Sequence, residues 1–143
     1  MEQSFEIISY VGPKPLLFGM IRDQVEAIVG PPESITDEHR TYYESFNIRY
    51  SKQDKGLVEI GFSSDAKVTI LGINPFIQKN GFRDLLRRDS CPYECYGFIV
   101  LLNLGITLTG FHNDDPDQLA ITAFAPGVWD HLKSKLRKFS VPN

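Results

Sequence analysis

Tyr42-Tyr43-Glu44-Ser45-Phe46-Asn47-Ile48-Arg49-Tyr50, the polar turn Lys52-Gln53-Asp54-Lys55-Gly56, and Leu57-Val58-Glu59-Ile60-Gly61-Phe62 decide the fold. Side chains along a strand point alternately to its two faces, so a period of two marks a half-buried strand. Tyr42, Glu44, Phe46, Ile48 and Tyr50 fall on one mostly apolar face, and Tyr43, Ser45, Asn47 and Arg49 on the other. Val58, Ile60 and Phe62 continue the inward face, with Glu59 outward. A glycine-containing polar turn between two such runs predicts a hairpin. Ser63-Ser64-Asp65-Ala66 then turns the chain into an expected third strand, Val68 to Ile73, completing an antiparallel meander.

The same pattern recurs downstream. Gly105-Ile106-Thr107-Leu108, a polar turn, and Leu119-Ala120-Ile121-Thr122-Ala123-Phe124 make a second hairpin with a longer turn. A predicted helix precedes each. Residues 19–29 place Ile21, Val25, Ile28 and Val29 on one face, with Gly30 and Pro31-Pro32 as the stop. Residues 77–89 bury Phe82, Leu85 and Leu86 and expose Lys79, Arg83, Arg87 and Arg88. The expected fold class is α+β: one domain over residues 1–143, with an antiparallel sheet from two similar helix-plus-hairpin half-units. The halves span roughly 5–76 and 77–139, and their helices pack on one face.

Outside these segments, residues 5–11 predict a short strand ended by Gly12-Pro13-Lys14-Pro15, and residues 33–40 an acidic connection. The run from Tyr96 to Phe111 presents Phe98, Val100, Leu102, Leu104, Ile106 and Leu108 as an inward face. Gly105 marks either a bulge or a break between two strands. A closing helix is expected from about Val128 to Lys138, anchored by Trp129, Leu132 and Leu136.

Composition narrows the function. At 143 residues, 42% hydrophobic and 23% charged, the chain suits one globular domain. A net charge of −3 disfavours nucleic acid as a partner, because phosphates need a basic surface. The acidic start Met1-Glu2-Gln3-Ser4-Phe5-Glu6 does not read as a signal peptide, and no apolar run reaches membrane-spanning length. A cytoplasmic protein with no membrane partner is expected.

The motifs of common chemistries are missing. His39, His112 and His131 share no metal-binding spacing, and Cys91 and Cys95 are not spaced as a redox or zinc pair. No nucleophile elbow, phosphate loop or dinucleotide fingerprint occurs. Asn113, Asp115 and Asp117 have the spacing of a calcium loop's first ligands, but Gln118 and Phe124 stand where glycine and glutamate are required. The loop therefore reads as a polar hairpin turn or an acidic contact surface. No cofactor, metal or catalysis is expected. Trp129 reads as a core anchor or an interface residue. The basic Lys133, Lys135, Arg137 and Lys138 read as complementing a helix C-terminus.

Phe18-Gly19-Met20-Ile21-Arg22-Asp23-Gln24-Val25 with Val29-Gly30-Pro31-Pro32 is similar to a Phe-Gly-Met-x-x-x-x-Val…Gly-x-Pro signature of small bacterial helix-plus-sheet domains. Gly105 to His112 and the ending Ala125-Pro126-Gly127-Val128-Trp129-Asp130 resemble the immunity proteins encoded beside contact-dependent and other polymorphic toxins. The resemblance implies an antitoxin that binds a cognate toxin domain, a nuclease, and neutralises it by occlusion. The alternative is a non-enzymatic interaction or structural module without a toxin partner. The acidic turns supply the expected partner-binding residues: Asp114, Asp115 and Asp117 with His112 in one loop, and Glu33, Asp37 and Glu38 in the other. Acidic loops speed association with a basic partner. Oligomeric state stays open, since an apolar edge strand could pair across a dimer.

Overall fold

A computed structural model describes residues 3–37 and 39–140. It is a mixed α+β protein with a large antiparallel sheet and few helices. The first predicted hairpin forms: β5 (Phe46–Tyr50) pairs antiparallel with β6 (Leu57–Ser63). So does the second, β10 (Ile106–Thr109) with β11 (Ala120–Phe124). The two hairpins lie side by side, because β6 pairs antiparallel with β11.

The register across these strands builds the core. Phe46, Phe62, Ile121, Leu108 and Ile99 are successive cross-strand partners, and so are Ile48, Ile60, Ala123, Ile106 and Leu101. These two rows cross five strands on one face, and all but the half-buried Phe46 are buried. Val25, Leu85 and Leu86 of the two helices join the same cluster. Each large apolar side chain so buried contributes roughly 1.5–3 kcal/mol.

The apolar run 96–111 is two strands, β9 (Phe98–Leu101) and β10, with Gly105 at the break. Its expected unbroken inward face is not formed. The β9–β10 register pairs odd residues with even ones, so Ile99 and Leu101 face the core in β9 while Ile106 and Leu108 do so in β10. Val100 is buried on the other face, and Phe98 is 38% exposed. The turn between them is clamped by Asp89, a buried carboxylate that accepts N–H bonds from Asn103 (2.9 Å), Leu104 (3.0 Å) and Cys91 (3.1 Å). Burial pushes the Asp89 pKa up, and these three donors oppose the shift.

The expected third strand of the meander is corrected. Both edges of β6 are occupied, by β5 and β11, so β7 (Lys67–Ile70) has no place beside it. It joins a second, three-stranded sheet, parallel to β1 (Ser4–Ile8). Gly12-Pro13-Lys14 does not simply end β1 either: it folds back as β2 (Gly12–Lys14), an edge strand where proline is tolerated.

The helices are shorter than predicted. α1 is Arg22–Val29 and α2 is Gly81–Asp89. Phe18-Gly19-Met20 is held as a loop by Gly19 N–H to the Leu57 carbonyl and Leu57 N–H to the Met20 carbonyl. Gly56 packs so closely there that a Cβ on it would lie 2.9 Å from the Gly19 Cα. Of the expected inward residues only Val25 is fully buried, while Ile28 and the N-cap residue Ile21 are exposed. The closing helix is corrected to a 3₁₀ segment, Asp130–Lys135, followed by β12 (Arg137–Lys138). Its anchors Trp129, Leu132 and Leu136 are only half-buried, and the chain end instead pairs with the open edge of β8 (Tyr93–Cys95), itself paired with β9.

The acidic connection is an edge hairpin, β3 (Ser34–Asp37) with β4 (Arg40–Tyr42). The strand expected over 42–50 is therefore broken by a turn at 43–45, closed by Tyr43 N–H to the Phe46 carbonyl at 2.8 Å. The nine-stranded order is β12-β8-β9-β10-β11-β6-β5-β4-β3. The β3 edge is short, bulged between Ile35 and Asp37, and acidic at Asp37. Those features discourage strand-to-strand pairing between copies.

Candidate functional site

The sheet has two ends, and the register assigns each acidic residue to one. Thr109, Ala120 and Ser63 are neighbours at one end, so the loop 110–119 and the turn 63–66 project from it. Phe46 pairs with Phe62 and Ser34 with Tyr42, which places the turn 43–45 and Glu33 at this same end. Asp37 aligns through Arg40 and Arg49 with Glu59, toward the opposite end. Glu38 lies outside the described residues. β3 is four strand steps from β11, or roughly 19 Å at the usual spacing. Glu33 thus shares one end of the sheet with the 110–119 loop, whereas Asp37 lies toward the other.

Within the loop the three aspartates differ. Asp115 is half-buried and builds the loop: its N–H bonds the Gly110 carbonyl at 3.0 Å, and its carboxylate accepts the Asp117 N–H at 3.2 Å. Gly110, at φ 84°, permits this closure, because a Cβ there would lie 2.6 Å from the Leu119 nitrogen. Asp114 and Asp117 are exposed. His112 turns inward. Its Nε2 lies 3.6 Å from a Glu94 carboxylate oxygen, its ring meets Phe139 edge-on, and its buried Nδ1 has no hydrogen-bond partner among the described residues. Across a cleft of about 450 Å³ from Asp114 stand Lys79 and Arg83, beside the stacked rings of Phe82 and Phe111.

Asp37 accepts the His39 N–H at 2.7 Å and so shapes the β3–β4 turn. Glu33 instead lines a groove of about 410 Å³, together with Glu44 and Asp65. Sequence reasoning missed Glu44 and Asp65, each a lone carboxylate in its own turn. The Tyr43 ring borders this groove, and its hydroxyl donates to the Gly30 carbonyl at 2.8 Å. Burial, reinforced by Glu26, pushes its pKa up to about 12.

Among the described residues, no three His, Cys, Asp or Glu side chains converge as a metal site requires. Cys95 is buried, and the half-buried Cys91 thiol donates toward the Tyr93 hydroxyl at 3.4 Å. Trp129 packs against Phe124 and Phe98 and borders a second cleft. No helix is long and apolar enough to cross a membrane, among the described residues. No family model, curated protein or solved structure matches the chain.

Proposed function

We propose that this chain is a cytoplasmic immunity protein that binds a cognate bacterial toxin domain, a nuclease, and neutralises it by covering a basic surface. The observation that supports this most is the set of carboxylates along one end of the sheet. Glu33, Glu44, Asp65, Asp114 and Asp117 come from four separate connections and stand across five adjacent strands. Such a row favours encounter with a cationic partner. The protein acts by binding, with no catalytic step of its own.

The sheet also reads as two half-units. α1 is followed by β3 to β6 and α2 by β8 to β11, and the two sets of four strands run outward from the β6–β11 junction in mirrored order. An acidic connection belongs to each half, which supports one binding end built twice.

The test is capture of a partner by the tagged chain from its source bacterium. A tight 1:1 partner that kills when expressed alone, and is harmless when co-expressed with this chain, is the expected result. A partner harmless by itself would overturn the toxin reading and leave an interaction module. Asp114→Lys with Asp117→Lys should slow association about tenfold, whereas an unchanged rate would remove the loop from the interface.

A further inference from the structure

We infer that the groove between the end of α1 and the 43–45 turn seats a single basic side chain, an arginine or lysine presented by a protein partner. The identity of that partner rests on the toxin-binding reading, but the preference for a cation follows from the groove itself. Its floor is apolar. Phe5 and Phe46 meet edge-on with centroids 5.1 Å apart, Tyr43 stacks on Phe46 at 4.5 Å and 12°, and Val29 closes one side. A methylene stem would lie on this floor, and aromatic faces attract the cation it carries.

The rim supplies the charge. Glu33, Glu44 and Asp65 arrive from three different connections, and Lys67 also lines the groove, so its described lining carries three negative groups and one positive. Asp65 is held in place by the Ser63 hydroxyl at 2.7 Å and the Ser45 hydroxyl at 3.2 Å, and these donors lower its pKa. The last turn of α1 reaches the groove through Val29 and carries no basic residue to offset its carbonyl dipole. A volume of about 410 Å³ admits a guanidinium with its stem. A second copy seated groove to groove on a twofold axis is disfavoured, because it would bring three more carboxylates against these three.

The test is an NMR titration of the full chain, labelled with nitrogen-15, using N-acetyl-arginine methylamide. N-acetyl-citrulline methylamide has the same shape without the charge. The arginine probe should give saturable shifts at residues 29–33, 43–46 and 65–67, about fivefold weaker with the citrulline probe. Glu33→Gln, Glu44→Gln and Asp65→Asn together should abolish them, and Asp114→Asn with Asp117→Asn should leave them intact. The single exposed Glu44→Gln variant should weaken them, which covers the case of a triple variant that fails to fold. Equal response to both probes, or shifts indifferent to these substitutions, would overturn the assignment. The probe is independent of any toxin, so failure here leaves the toxin reading standing, and failure of the toxin reading leaves this result intact.

Discussion

Asp89 ends α2 inside the protein, and its carboxylate serves three backbone N–H groups at once. Removing it leaves all three donors without this acceptor, the Leu104 N–H away from water. Asp89→Ala is expected to cost about 3 kcal/mol or more, read from urea unfolding. Tyr50 poses a different case: burial pushes the pKa of its hydroxyl up to about 12, against the opposing pull of the Thr41 side chain. The unfolded chain ionises this tyrosine near pH 10, while the native protein keeps it protonated up to about 12. Its contribution is intact below pH 10 and is lost as pH rises to about 12, roughly 2 kcal/mol in all. Tyr50→Phe should flatten that part of the alkaline stability profile and remove one late phenolate from the ultraviolet titration. A profile unchanged by the substitution would exclude this origin.

The elements divide into those whose partners are near in sequence and those whose partners are not. At the element scale, Gly110→Ala should cost roughly 2 kcal/mol, because both its positive φ and the Leu119 backbone 2.6 Å away oppose a Cβ. The loss should appear as a lower melting temperature and faster amide exchange across residues 110–119. The hairpins β5–β6 and β10–β11 were legible because period-two patterning and a polar turn are local signals. The place of β7 was not, since it depends on β11, fifty residues later, filling the second edge of β6. The switch of inward positions between β9 and β10 was equally hidden: it is a property of turn register, and Ile99 and Val100 look alike in sequence. The site follows the same rule. Glu33, Asp114 and Asp117 stood out as clustered acids, whereas Glu44 and Asp65 acquire meaning only where Phe46 meets Phe62.

For the whole molecule, the acidic end spans about 20 Å, wider than the roughly 10 Å screening length at 0.1 M salt. Association with a basic partner should therefore slow about tenfold between 0.05 and 0.5 M salt, while dissociation changes far less. Stopped-flow rates independent of salt would show that the row does not steer. The β6–β11 junction matters before any partner arrives. β6 sits fourth from one end of a nine-stranded sheet, yet β11, the strand that completes it, is made more than fifty residues later. Throughout synthesis at the ribosome, the first half of the nascent chain carries Ile60 and Phe62 on a strand with one edge unpaired. The growing polypeptide is thus most open to chaperone capture, or to aggregation with its neighbours, until residues 120–124 emerge and close the seam.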